Sequence, residues 1–445
     1  ELVARGAKAI GGRIDLLEEK HLLPAPSALA EREQRARRRL REIRSGPAGA
    51  AAGDHHQFSG ASLALTAATY TSCGGLPVRA ALEDEALESE LRVRGVPIHR
   101  SARVRVRTSA RTEGRAPRGL ARDLARSDWR ARRSYRAEQF PLHRLLSAKD
   151  TTIGLILPAR EVAATIGAVV ERAAALRRAG LLDEVLVVDA GSRDGTAALA
   201  RRAGVEVVQE NELSSELGPC CGKGDAMWRA TRELGSEIIA YADTDSENLG
   251  EQFLTGLLGP LVCDPDVQFV KGCFRRPFRA ATGVAAPHGG GRVTELMARP
   301  LLNLHAPALA VFDQPLAGES AGRRALLERI PFSTGYGVEI AMLIDAWRAA
   351  GIDALAQVDL GVRQNRHQPL RDLSAMAYAV LVAAQSRLLG AEFADAHAAA
   401  SIALPPLDGE QAMELRGVAV HERPPLGRYT AQSGVADRAL DGTAA

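Results

Sequence analysis

The sequence predicts an α/β protein built on a doubly wound, mostly parallel sheet, preceded by a shorter α/β piece. Three observations carry this. From Ile153 onward, short apolar runs alternate with stretches of helical length, the pattern of successive βα units. The runs are apolar throughout, as strands covered on both faces are. Unusual polar residues stand directly after them, at Pro158-Ala-Arg-Glu161, Asp189-Ala-Gly-Ser192 and Asp243-Thr-Asp245, where such sheets bind ligands.

Taken in order, residues 1–50 read as polar and helical, closing in the Gly/Ala-rich break Gly46–Gly53. Residues 58–110 form a compact piece, with Phe58–Leu65, then Gly74-Gly-Leu-Pro77, then acidic Glu83-Asp84-Glu85 opening a helix. The alternating run Ala102–Thr108 is a strand. Residues 111–135 are Arg-rich and read as a linker or surface helix. Ile153–Leu157 is the first buried strand, followed by a helix at 162–179, the strand Val185–Val188 and a helix near 194–203. The strand Val205–Val208, a helix near 223–234 and the strand Glu237–Ala242 follow. The expected domains are 1–135, 136–426 and a tail, 427–445.

Composition sets limits on function. The chain has 445 residues, 46% hydrophobic and 25% charged, which excludes a disordered or fibrous protein and suggests two or more domains. No run approaches eighteen apolar residues, so no transmembrane helix is expected. The first residues lack the apolar core of a signal peptide. The first methionine is Met227, so the chain is read as a piece lacking its true start. Five cysteines without a CxxC pair favour neither a disulfide framework nor a structural zinc site, and a reducing cytoplasm is expected. Adjacent Cys220-Cys221 read as loop thiols. Residues 1–150 carry 29 Lys/Arg against 18 Asp/Glu, and the remainder 28 against 36. The Arg35–Arg39 run lacks interleaved aromatics, so it reads as a solvated helix face and no nucleic-acid partner is expected. Lysine is rare: Lys8, Lys20, Lys149, Lys223 and Lys271 are all there is.

The candidate chemistry clusters at strand ends. Asp243 and Asp245, two residues apart, can divide their work: one accepts from a ribose or base, the other ligates Mg²⁺ or Mn²⁺ under a diphosphate. Gly191 permits close backbone approach and Ser192 can donate to a ligand; alternatively, Ser192 or Asp194 caps the next helix. Gly222-Lys223-Gly224 at a helix start suits an anion or nucleotide but lacks P-loop spacing. In His288-Gly-Gly-Gly-Arg-Val-Thr-Glu295, free amides, the Arg292 fork and the Thr294 hydroxyl suit a small phosphorylated acid. Lys271 and Arg275-Arg276, just upstream, add positive charge. Glu339 in an apolar helix is either functional or a paired structural carboxylate. His367 is a candidate metal ligand.

These residues resemble the glucosyl-3-phosphoglycerate synthases, with the related mannosyl-3-phosphoglycerate synthases. The resemblance runs from about residue 137 to Arg423-Pro-Pro425. Its motifs are Gly222–Trp228, Gly289–Leu296, Gln314-Pro-Leu316 with Gly318-Glu319, and Gly335–Ile340. It implies a GT-A fold and retaining, metal-dependent transfer of glucose from a nucleotide sugar, UDP-glucose, to the 2-hydroxyl of D-3-phosphoglycerate. Mannose and GDP are the alternatives, as is a non-catalytic scaffold with a lapsed metal site. It implies that Pro158, Arg160, Glu161, Ser192, Lys223 and Asp243 bind the nucleotide sugar, and that Asp245 holds Mg²⁺ or Mn²⁺. Gly291, Arg292 and Thr294 would bind the acceptor, with Glu339 near the sugar or acceptor hydroxyl. Glu339, Lys223 and Asp245 are the expected catalytic residues, and a homodimer is expected. The family's further carboxylate is replaced by Val162. Its metal-ligating histidine aligns with Asn365; either His367, two residues on, is the ligand in its place, or the loop keeps the family register and Asn365 faces the metal. Residues 55–120 resemble instead the acceptor half of family-2-like inverting glycosyltransferases, through the H-x-x-SGASLAL and GGLP motifs, Glu83-Asp84 and Thr108–Ala116. That piece lacks its nucleotide-binding half and is expected to be inactive, making the chain a fusion of two transferases cut inside the first.

Overall fold

The computed structural model describes residues 2–17, 24–45, 53–79, 81–114, 119–279, 285–286, 290–363, 369–390, 393, 399–406 and 412–429. The chain divides into two units, Glu1–Arg132 and Arg133–Ala445.

The first unit contains β1 (Ala9–Leu16), α1 (Pro26–Ser45), β2 (Leu63–Leu65), α2 (Ala67–Ser72), α3 (Glu83–Val93), β3 (Ile98–Thr108) and α4 (Leu120–Arg133). Its sheet has the order β2-β1-β3, with β1 antiparallel to β2 and parallel to β3. The expectation of helix through residues 1–50 therefore fails at Ala9–Leu16. Gly11-Gly12 disfavour a helix by about 1 kcal/mol each, and Ile10, Ile14 and Leu16 fit a pleated surface better. Ala9, Phe58, Leu87, Leu91 and Ile98 form a small core. The Arg-rich 111–135 stretch contributes α4, which is more than a surface helix, because Leu124 and Trp129 are buried. On α1, Arg37 pairs with Glu33 at 2.6 Å, and both are exposed. Asp84 accepts from the Gly60 amide at 2.9 Å, just after Leu82 at φ 63° opens α3.

The second unit begins with β4 (Ser134–Arg136), α5 (Leu142–Ala148), β5 (Ile153–Ala159), α6 (Ala163–Arg178), β6 (Glu184–Asp189), α7 (Thr196–Arg202), β7 (Glu206–Gln209), α8 (Lys223–Glu233) and β8 (Ile238–Tyr241). It continues through α9 (Glu251–Cys263), β9 (Phe269–Arg275), β10 (Phe278–Arg279), β11 (Ala285–Ala286), α10 (Arg299–His305), β12 (Ser320–Arg323) and α11 (Arg324–Leu327). Then come β13 (Phe332–Ser333), α12 (Val338–Ala350), β14 (Leu355–Val362), α13 (Leu370–Leu389), β15 (Ala399–Leu404), β16 (Glu414–Ala419) and β17 (Glu422–Arg423). Among the described residues no helix is long and apolar enough to cross a membrane.

Eight strands form one sheet in the order β4-β14-β9-β12-β8-β5-β6-β7. Every pairing is parallel except the two made by β12, which runs antiparallel to both β8 and β9. The apolar runs read from the sequence are its central strands: Ile153, Leu155, Ile156 and Leu157 on β5 are fully buried. The reversal of β12 matters for function. Its first residue pairs with Tyr241 at the end of β8 and with Lys271 on β9. The residues that precede it, Gly318-Glu319, therefore arrive at the edge where the parallel strands end. That edge collects Arg160 from β5, Asp243 from β8, Arg276 from β9 and Arg363 from β14.

The expected cap of the 194–203 helix needs correction. α7 begins at Thr196 with Gly195 at the cap position, φ 94°. Asp194 lies one residue earlier. One of its oxygens accepts from the Thr196 amide and hydroxyl, and the other from the Ala163 amide, so it joins the starts of two helices. Ser192 is no cap either: its hydroxyl accepts from the Glu161 amide at 2.9 Å.

Candidate active site

A cavity of about 580 Å³ opens at this sheet edge. Its lining includes Pro158, Arg160, Lys223, Asp243, Asp245, Gly291, Arg292, Thr294 and Glu339, so nine of the expected site residues meet in one place. Glu161 and Ser192 are not part of the lining. They hold each other at the rim: Ser192 accepts from the Glu161 amide, and a Glu161 carboxylate oxygen accepts from the Arg193 amide at 2.9 Å. Glu161 sits at φ 52°, a left-handed conformation that costs a non-glycine residue about 1 kcal/mol or more and that these contacts compensate. Asn365, His367, His288 and Gly289 lie outside the described residues.

Lys223 is the centre of the array. As the first residue of α8 it projects between two carboxylates, donating to Asp243 at 2.5 Å and to Glu339 at 2.7 Å. Burial alone would favour a neutral amine, but the two carboxylates outweigh it and hold the ammonium well above the ordinary lysine range. Asp243 shows the reverse balance. Burial penalises its charge, yet Lys223 and Arg363 hold it well below the usual carboxylate range. The glycines around Lys223 serve packing more directly than anion binding. A Cβ on Gly224 would stand 1.8 Å from the Ser333 carbonyl, so that residue lets α8 lie against β13.

A second cation, not singled out in the sequence, completes the acidic end. Arg363, 1% exposed at the end of β14, donates to Asp243 at 3.1 Å and to Asp245 at 2.6 Å. Its Nη1 also forms an ion pair at 2.6 Å with Glu319, although neither Glu319 oxygen has a hydrogen-bond partner among the described residues. Burial then raises the Glu319 pKa, with Arg363 opposing. Gly318 makes room for this cluster: a Cβ there would meet both Asp243 carboxylate oxygens at 2.3 Å. Behind it Lys271, fully buried on β9, donates to the Ala317 carbonyl at 2.5 Å, and burial pushes its ammonium down to about 8. Of these residues Arg363 is the one the sequence did not mark. Arg363 and Glu319 lie 44 positions apart, and only the reversed β12 brings them together.

These facts bear on a metal. Asp243 is committed to two cations. Asp245 lines the cavity with its side chain half exposed, and Arg363 engages only one of its oxygens, so it fits as a hard oxygen ligand. Among the described residues no group of three or more His, Cys, Asp or Glu side chains is arranged to hold a metal ion.

The glycine loop also lines the cavity. Gly291 adopts φ 75°, and its carbonyl accepts from the Glu295 amide at 3.0 Å. Arg292 lines the cavity two residues before buried Thr294, where a π-helical turn, Thr294–Ala298, begins. π-helical turns recur at functional sites. From α13, Leu373, Met376 and Val380 line the cavity with apolar surface.

No family model matches the sequence. Individual relatives do. The glucosyl-3-phosphoglycerate synthase of Mycolicibacterium smegmatis is 42% identical over 260 residues, which are 58% of this chain and 85% of that protein. This chain belongs to the glucosyl-3-phosphoglycerate synthase family. Among solved structures, the mannosyl-3-phosphoglycerate synthase of Rubrobacter xylanophilus matches with a TM-score of 0.60 and 42% identity, over 68% of this chain and 99% of that one. The glucosyl-3-phosphoglycerate synthase of Mycobacterium tuberculosis, solved with Mn²⁺, UDP-glucose and phosphoglyceric acid, matches with a TM-score of 0.57 and 36% identity. That match covers 65% of this chain and 95% of the other. The sheet of the second unit is therefore that of a GT-A synthase of this family.

Proposed function

We propose that this chain transfers glucose from UDP-glucose to the 2-hydroxyl of D-3-phosphoglycerate, with retention at the sugar carbon. The observation that carries this is the Asp243–Lys223–Glu339 array, set with Asp245 and the Gly291-Arg292-Thr294 wall in one cavity. Pro158, Arg160 and Asp243 receive the nucleotide, with Glu161 and Ser192 shaping the rim. An ammonium has three N–H donors and Lys223 spends two on carboxylates, which leaves one for charge developing on the departing diphosphate. Glu339, holding Lys223 with one oxygen, presents the other to a sugar or acceptor hydroxyl. Arg292, Thr294 and the neighbouring amides seat the phosphorylated acid and so fix the attacking hydroxyl. Asp245, with His367 expected beside it, would hold Mg²⁺ or Mn²⁺, which when bound neutralises diphosphate charge. In the retaining reaction the acceptor oxygen bonds to the sugar carbon on the face the diphosphate leaves, and the hydroxyl proton passes to the departing phosphate oxygen. Five unpaired cysteines support a reducing, cytoplasmic setting. A homodimer is the assembly proposed, and mass in solution checks it.

The likeness to a mannosyl-3-phosphoglycerate synthase, 42% identical, gives GDP-mannose a place as second donor. Both readings meet the same assay: UDP-glucose and GDP-mannose, each with D-3-phosphoglycerate and Mg²⁺ or Mn²⁺, the product identified by mass and its anomeric configuration by NMR. UDP-glucose should give the higher kcat/KM. Absence of transfer to 3-phosphoglycerate from either donor would overturn the proposal.

A further inference from the structure

Arg276 follows the last residue of β9 and lines the cavity, yet its Nε is buried with no hydrogen-bond partner among the described residues. A buried, unmatched guanidinium N–H is costly, and on a residue that lines a cavity a bound ligand can supply the missing acceptor. The side chain is well placed rather than loose. Its guanidinium carbon lies 4.9 Å from the centre of the Phe274 ring, and Arg363 lies 5.2 Å from the same ring. Arg363 spends its fork on Asp243, Asp245 and Glu319; Arg276 pairs with no carboxylate among the described residues. Its backbone is joined to the acceptor wall, since its carbonyl accepts from the Gly290 amide at 3.0 Å, two residues before Arg292.

We infer that Arg276 is the specificity residue for the carboxylate of the acceptor. The inference rests on the proposed acceptor and deepens it. A phosphorylated hydroxy acid carries two anions of different shape. The glycine-rich turn at Gly291-Arg292-Thr294, with several amides, a fork and a hydroxyl, suits a tetrahedral phosphate. A guanidinium with an unused Nε–H edge suits a planar carboxylate, which it can grip with two parallel bonds. Burial also lowers the Arg276 pKa, and a bound carboxylate would offset that penalty.

The test compares two ligands that share the phosphate and differ in the carboxylate: D-3-phosphoglycerate and glycerol 3-phosphate. Dissociation constants are measured by calorimetry on the full chain with UDP and Mn²⁺ present, for the wild type, Arg276→Lys and Arg276→Met. The wild type should prefer 3-phosphoglycerate. In Arg276→Met its affinity should fall about tenfold or more, while that for glycerol 3-phosphate changes less than about threefold. Arg276→Lys, which keeps the charge without the fork, should fall between. Circular dichroism and the thermal midpoint of each variant report that the fold is intact. Equal weakening of both ligands would place Arg276 on the phosphate and overturn the inference. Loss of UDP affinity in a folded Arg276→Lys would place it on the diphosphate, with the same consequence. A wild type that binds neither acceptor would sink the acceptor proposal itself, and the inference with it. A wild type that prefers 3-phosphoglycerate alongside variants that keep the preference would sink the inference alone.

Discussion

At the scale of single residues, the site is a balance of buried charges whose members have different duties. Asp243 and Asp245 stand two positions apart and look alike in sequence, but two cations fix the first and the second opens to the cavity. Asp245→Asn should therefore abolish the response to Mg²⁺ or Mn²⁺ and lower kcat by about a hundredfold or more, with the fold unchanged. Titrating Mn²⁺ against rate checks it, and near-normal turnover with an unchanged metal response would remove Asp245 from the metal site. Arg292→Lys keeps the charge but loses the planar fork, so KM for 3-phosphoglycerate should rise much more than KM for the sugar nucleotide. An equal rise in both would mean that Arg292 does not hold the acceptor. Nine of the expected site residues were legible because strand ends and glycine-rich turns announce themselves locally. Arg363 carried no such signal, and Arg276 and Glu319 were read only as added positive charge and as part of a family motif, without their partners. An arginine or glutamate in an Arg-rich chain becomes informative only when its partners, far away in sequence, are known.

At the scale of elements, the position of Lys223 depends on how α8 is tied down. Asp225, fully buried in the first turn, accepts two bonds from Arg423 at 2.7 and 2.9 Å and two from Arg229 at 3.2 Å, and also one from the Cys221 amide at 2.9 Å. Trp228 donates to the Pro424 carbonyl at 2.8 Å. The segment around β17 thus clamps the helix that carries the central lysine. Asp225→Ala would leave two arginines without their counter-ion and should cost about 3–5 kcal/mol, read as a shift of the denaturation midpoint at unchanged slope. Burial opposes the charge on Asp225, but the Arg423 and Arg229 bonds win and hold its pKa below the usual aspartate value. A depressed carboxylate contributes stability that is present above its unfolded pKa, near 4, and is lost as pH falls through the folded value. The wild type should therefore lose stability below about pH 4, and Asp225→Ala should lose less over the same range. Parallel slopes of stability against pH for the two proteins would contradict this. The sequence placed the start of α8 by its glycines and offered an anion site as their reason. The structure gives Gly224 a packing reason, the approach of the Ser333 backbone.

At the scale of the whole molecule, the chain carries two units, and the relatives match over 58 to 68% of the chain, more than the first unit, Glu1–Arg132, can supply. Residues 133–445 expressed alone should keep the donor and acceptor preferences of the full chain, with kcat/KM within about threefold. A folded piece without activity would show that the first unit contributes to the site. What the sequence determined by itself was the class of the sheet and the identity of several residues at its carboxyl edge. Buried parallel strands must be apolar along their whole length, and the chain must turn polar where they end. Helix at Ala9–Leu16 was misread because polar residues in a glycine-bearing strand carry a weak periodic signal, and pairing with β2 and β3 decided the matter. Only the tertiary structure set the charge pattern of the site. The reversal of β12 brings Glu319 to the same edge as Asp243, and β14 delivers Arg363 between them. Coulomb interactions depend on distance in space, and residues 44 to 120 positions apart in sequence become neighbours only through the order and direction of strands.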